Sequence, residues 1–79
     1  MTNLEKYNAV FMDALELNEA DLGENCTVQN IEKWDSIGHL ALVNALEDTF
    51  EILMDSDDII AFRSYEEGKK LLARYGVEL

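Results

Sequence analysis

Proline is missing from this sequence, and cysteine, histidine and tryptophan occur once each. Without proline no helix is broken from within, and with only four scattered glycines the chain reads as helices joined by modest loops. The lone Cys26 rules out an internal disulfide and a thiolate metal cluster, so a reduced thiol is expected. Basic residues are also scarce, 6 against 17 acidic ones, giving a formal charge of -11. Such a field repels nucleic acid and anionic membrane surfaces and favours partners carrying basic patches. No apolar run is long enough to span a bilayer, and Met1-Thr2-Asn3-Leu4-Glu5-Lys6 lacks the basic stretch and apolar core of a targeting signal, so a cytoplasmic location is expected.

What is present is a foldable core. Apolar residues make up 48% of the 79 positions, which separates the chain from acidic disordered sequences poor in Leu, Ile and Phe. The length fits one domain, residues 1–79, expected to be monomeric. A pocket enclosing a substrate and ordering catalytic groups would consume most of so small a core, so the chain is expected to be acted upon by enzymes and not to be one.

Periodicity divides the chain into four helical segments. The first runs from Asn3 to Glu16, with Leu4, Tyr7, Phe11 and Leu15 at helical spacing and Thr2 with Glu5 in a capping-box pattern. From Leu17 to Trp34 the period is lost and Asn18, Asp21, Gly23, Asn25 and Asn30 mark a long irregular connection, pinned to the core through Leu22, Val28 and Ile31. The second helix starts at Asp35 or Ser36 and runs to Phe50, with His39, Leu42, Val43, Leu46 and Phe50 facing inward. A short third helix spans Asp57 to Phe62, packed through Ile59, Ile60 and Phe62. The fourth follows a second capping-box pattern, Ser64 with Glu67, carries Tyr65, Leu71, Leu72 and Tyr75, and stops at Gly76. The expected fold is all-α: a small four-helix bundle of three longer helices and one short one.

Ser36 stands where the irregular connection becomes the second helix, where unpaired backbone N–H groups and the positive end of the helix dipole would favour a phosphodiester. The simpler reading of Asp35 and Ser36 is an N-cap, the common role of both residue types at a helix start. Turning Leu42, Leu46 and Phe50 inward turns Ile37, Leu40, Ala41, Asn44, Glu47, Asp48 and Glu51 outward, a face apolar near Ser36 and acidic farther along. An apolar patch rimmed by charge suits docking, although Ile37 and Leu40 packed on the neighbouring loop would be the plainer alternative. His39 and Trp34 read as packing residues. Asp55, Asp57 and Glu66 have the first, third and last spacing of a calcium loop, but Ile59 and Ile60 occupy positions needing a ligand and a glycine, so no metal site is expected.

The run Asp35-Ser36-Ile37-Gly38-His39-Leu40 resembles the D-S-L signature of the acyl carrier protein family. The resemblance extends through Leu42-Val43-Asn44-Ala45-Leu46-Glu47, the Phe50-Glu51-Ile52-Leu53-Met54 exit, Asp57-Asp58 and Ser64, in register over almost the whole chain. It implies that a phosphopantetheinyl transferase attaches 4'-phosphopantetheine covalently to Ser36, with Asp35 assisting recognition, and that the arm's thiol carries acyl groups as thioesters. It further implies partners among acyl-activating, condensing and acyltransferase enzymes, docking on Ile37, Leu40, Ala41, Asn44, Glu47 and Asp48. An acyl chain would be sheltered among Val43, Leu46, Phe62 and Leu71. Ile37 in place of Leu, Ala41, Asn44 and the missing proline after the second helix depart from the family's usual pattern and leave the pathway open, whether fatty-acid, polyketide, cell-envelope or aminoacyl transfer. The competing reading is an unmodified acidic helical adaptor.

Overall fold

The computed structural model describes all of residues 1–79, which form four α-helices: α1 (Asn3–Leu15), α2 (Ser36–Phe50), α3 (Ser56–Ala61) and α4 (Tyr65–Ala73). The chain is an all-α bundle of three longer helices and one short one, with a single 3-10 turn at Glu19–Asp21 inside the long connection. No helix is long and apolar enough to cross a membrane.

The three longer helices each begin where a polar side chain takes up an orphan N–H group. Thr2 and Glu5 complete a reciprocal capping box on α1, Glu5 N donating to the Thr2 hydroxyl and Thr2 N to the Glu5 carboxylate. Those hydrogen bonds to the charged form hold the Glu5 carboxyl below its ordinary value. On α4 the Ser64 hydroxyl accepts from Glu67 N at 3.0 Å. The first, second and last helices close alike, with a residue at positive φ followed by an N–H reaching back five residues: Leu17 to Met12, Ile52 to Glu47, and Val77 to Leu72. Gly76 supplies the positive φ after α4, but Glu16 and Glu51 supply it after α1 and α2, each at φ 54°. Helix α1 therefore ends at Leu15, one residue earlier than its periodicity suggests, because Glu16 is already left-handed.

Phe11 is the centre of the core. Its ring lies 4.8 Å from that of Tyr7, 5.2 Å from Tyr65, 5.5 Å from Trp34 and 5.9 Å from Phe62, so one residue of α1 joins the connection, the exit of α3 and the start of α4. Leu15, Leu42, Leu46 and Leu72 are fully enclosed around this cluster. The Tyr7 hydroxyl donates to the Tyr65 carbonyl at 2.7 Å, and its burial pushes its ionisation upward. Helix α4 comes this close because Gly68 has no side chain; a Cβ there would stand 2.2 Å from Tyr7 Oη and 2.6 Å from Phe62 Cζ.

Leu22, Val28 and Ile31 pack against the core as half-buried residues, and hydrogen bonds fix the connection further. Val28 N donates to Arg63 O at 3.0 Å and Tyr65 N to Cys26 O at 2.8 Å, on either side of a bridge between Thr27 and Ser64. This pairing encloses Cys26 completely, and burial pushes its thiol up to about 11.

Two faces differ from the helical wheel. Leu4 is exposed at the open end of α1, and Ile60 is 71% exposed on α3, while Asp58, which the apolar pattern had no reason to place inside, is buried. Asp58 is turned inward by its partners: its carboxylate accepts from Arg74 Nη1 at 2.9 Å and from the Tyr75 hydroxyl, which in turn accepts from Asp55 N at 2.9 Å. A six-residue helix has room for one inward turn, and here the ion pair with the end of α4 claims it.

Candidate functional site

The site is the start of α2. Asp35 is its N-cap: backbone extended at φ -95°, the carboxylate Oδ1 accepts from Gly38 N at 2.8 Å, and the carbonyl accepts from His39 N at 2.8 Å. Asp35 thus fills the capping role, and Ser36 becomes the first helical residue, exposed, its hydroxyl taking no part in the cap. Gly38 is dictated by the approach of the preceding loop. A Cβ at this position would lie 2.0 Å from the Lys33 carbonyl oxygen, so only glycine lets the loop fold against the first turn. The Lys33 ammonium extends the other way, to Glu16 at 3.2 Å beyond the end of α1.

His39 does more than pack. The Trp34 indole Nε1–H donates to His39 Nδ1 at 2.9 Å, and His39 Nε2 lies 2.8 Å from the Ile59 carbonyl. With Nδ1 accepting, the ring proton is on Nε2 and is donated to Ile59, so both nitrogens are used by the neutral imidazole. The ring also lies 5.9 Å from Phe62 in an edge contact and stacks on Trp34 at 22°. A single residue of α2 therefore ties the loop that leads into it to the last turn of α3.

Between these elements lies the larger of the two surface grooves, about 500 Å³, lined by Val28, Gln29, Trp34, Asp35, Ser36, His39, Ile60, Phe62 and Arg63. Ser36 stands at one wall and α3 with its exit forms the other. Of the residues suggested as shelter for an acyl chain, Phe62 lines this groove, whereas Val43, Leu46 and Leu71 are locked in the packed core and line neither groove. The second groove, about 390 Å³, lies between Leu4, α4 and Leu79.

On the outward face of α2, Ile37 is 80% and Leu40 57% exposed, and Ala41, Asn44 and Asp48 are exposed beyond them. Glu47 departs from this row. It is half-buried, and its carboxylate accepts from Met54 N at 2.9 Å, so it serves the exit of α2 instead of standing free in solvent. No group of three or more side chains able to hold a metal ion forms anywhere in the chain. The long connection and the exit of α3 contribute residues that the helical pattern does not single out, Gln29 and Arg63, whereas Ile60, expected to pack inward, lines the groove from α3. Their one sequence signal is Arg63, a cation directly after the apolar run Ile59-Ile60-Ala61-Phe62 in a strongly acidic chain.

Comparison with protein-family models, with curated proteins and with solved structures gives no match to this chain.

Proposed function

We propose that the protein is a carrier whose Ser36 bears a phosphopantetheine arm, and that acyl groups ride on this arm as thioesters while partner enzymes act on them. The observation that carries this reading is the division of labour at the start of α2: Asp35 caps the helix, leaving Ser36 exposed at its first position with a hydroxyl free of structural duty. In the D-S-I-G run that resembles the carrier signature, that is the residue which must be reachable by a modifying enzyme. Attachment there adds a phosphodiester beside the N–H groups of the first turn, where negative charge is favoured.

In this scheme Ser36 is a substrate and the chain itself is not a catalyst. A separate transferase forms the bond between Ser36 Oγ and the phosphorus of coenzyme A, breaks the phosphoanhydride, and releases adenosine bisphosphate; the hydroxyl proton leaves to a base of that enzyme. Partners would be acyl-activating, condensing or acyltransferase enzymes whose basic patches match the charge of -11, steered together over a range set by the ionic strength. The exposed pair Ile37 and Leu40 would supply the apolar centre of such contacts and Asp48 part of the acidic rim.

Intact-mass measurement after co-expression with a phosphopantetheinyl transferase tests the reading. One added arm is expected, lost in Ser36→Ala with the fold unchanged by circular dichroism. An unchanged mass beside a carrier that the same transferase does modify would refute it. The exposed Ile37 and Leu40 also suit an acidic adaptor that is never modified, and that reading would then take its place.

A further inference from the structure

The groove beside Ser36 is closed at its floor and charged at its rim. Its floor is Trp34, His39 and Phe62, whose rings meet edge to face at 5.8 Å between Trp34 and Phe62 and at 5.9 Å between His39 and Phe62. His39 latches this floor through both ring nitrogens, to Trp34 on one side and to Ile59 of α3 on the other. A long alkyl chain entering the bundle between α2 and α3 must break the His39–Ile59 hydrogen bond that spans the two helices and displace the Phe62 ring, itself packed on Phe11. Leaving buried polar groups unpaired opposes such entry.

The rim carries Gln29 and Arg63. Arg63 is held in place from behind: its carbonyl accepts from Val28 N at 3.0 Å, and Thr27 bridges to Ser64 beside it. Among the 6 basic residues, Lys33, Lys69 and Arg74 are engaged in ion pairs with Glu16, Glu66 and Asp58. Arg63, like Lys6 and Lys70, pairs with none of the 17 acidic residues, and of these three it alone lines this groove. The groove thus offers an apolar flank in Val28, Ile60 and Phe62, one planar cation in Arg63 and, beside Ser36, the Asp35 carboxylate, whose Oδ1 already accepts from Gly38 N, within a volume of about 500 Å³ that falls in the range of small-molecule sites, about 300–1,000 Å³. A guanidinium fork matches a carboxylate in shape and charge.

We infer that this groove receives the group tethered at Ser36 and selects a short acyl chain ending in a carboxylate, with Arg63 as its counter-ion and the His39 latch keeping longer alkyl chains out of the core. The inference rests on the carrier reading for the tether, but the selectivity belongs to the groove and is measurable without it. No bond is made or broken in this step; the carboxylate exchanges water for the guanidinium.

The test has two arms. In the first, free succinyl-pantetheine and butyryl-pantetheine are titrated into the unmodified protein and followed by NMR of Gln29, Ile60 and Arg63. Succinyl-pantetheine is expected to bind about threefold more tightly, the size of an exposed ion pair, and Arg63→Gln is expected to remove the difference. Equal affinities, or a difference that survives Arg63→Gln, would overturn the inference whatever becomes of Ser36. In the second, Ser36 is loaded from succinyl-, butyryl- or octanoyl-coenzyme A by a transferase and loading is confirmed by mass. The octanoyl group is expected to leave the Leu46 and Leu71 methyl signals in place in the native protein and to move them in His39→Ala, or in His39→Gln where the alanine variant does not fold. Movement of those methyls with His39 present would also sink the inference, whereas failure to load any of the three groups would count against the carrier reading alone.

Discussion

Around Phe11 the chain is held by enclosed rings and aliphatic side chains, whereas the start of α2 and α3 are held by a few directed hydrogen bonds. Tyr7, Phe11, Leu15 and Leu72 are fully enclosed, and α4 approaches them so closely that Gly68 admits no side chain. At the other end the fixed points are Asp35 on Gly38, His39 between Trp34 and Ile59, and Asp58 between Arg74 and Tyr75. The first region resists any change of volume. The second is specified by direction, which lets Ile37, Leu40 and Ile60 remain in solvent without loosening the backbone beneath them. The proposed carrier role would use that combination: a rigid floor, and apolar side chains left uncommitted above it.

The two regions separate when volume is removed from one and a single methyl group is forced into the first turn of α2 in the other. Phe11→Ala is expected to lower unfolding stability by about 4 kcal/mol in urea titration, since the ring leaves a cavity among four aromatic neighbours. Gly38→Ala, in the Ser36 region, is expected to lower it by about 2 kcal/mol, because a Cβ 2.0 Å from the Lys33 carbonyl forces the loop away. Amide exchange is expected to speed up first at Trp34 to His39 in this variant, with α1 and α4 unaffected. Uniform loosening of all four helices would show that the two regions are not separately specified.

Alkaline titration probes the enclosed region and the pairing that seals it. The Cys26 thiol is raised from 9.0 to about 11, so the folded chain keeps its proton where the unfolded chain has lost it. Its contribution is complete below pH 9.0 and is lost as the pH rises towards 11, an effect on the order of 1 kcal/mol. Tyr7 and Tyr65, raised above 10.0 chiefly by desolvation, act in the same sense at higher pH. Urea midpoints measured from pH 8 upward are expected to fall from about pH 9, and Cys26→Ala to delay that fall until the tyrosines ionise. The smallest effect is expected at the exit of α2, where Glu51→Gly removes a left-handed non-glycine residue and raises stability by about 1 kcal/mol. A loss instead would show that the Glu51 side chain holds the exit of α2 in a way its backbone does not reveal.

The two regions also differ in what can be read from the residues in order. The helices of the enclosed region follow from an apolar period and from Thr2, Glu5 and Ser64, whose capping is local chemistry within three residues. The start of α2 was equally legible, although whether Asp35 or Ser36 caps it was not. That choice depends on the loop behind it, which presses the Lys33 carbonyl onto Gly38 and sets the backbone angle of Asp35. Helix α3 was the least legible element. With six residues it has too little periodicity to declare a face, and the ion pair to Arg74 turned Asp58 inward and Ile60 outward. Glu47 shows the same limit, since its wheel position points outward but the returning backbone at Met54 captures its carboxylate.

By itself the sequence determined the all-α bundle, the -11 charge and the placement of Ser36 at a helix start, because helical period, net charge and capping chemistry are properties of near neighbours in the chain. Only the tertiary structure decided that Ser36 stands beside a groove, that Arg63 lines that groove, and that His39 spends both ring nitrogens closing its floor. Arg63 is far along the chain from Gln29 and His39, and they meet because the pairing of Cys26 and Val28 with Tyr65 and Arg63 draws the long connection onto the junction of α3 and α4.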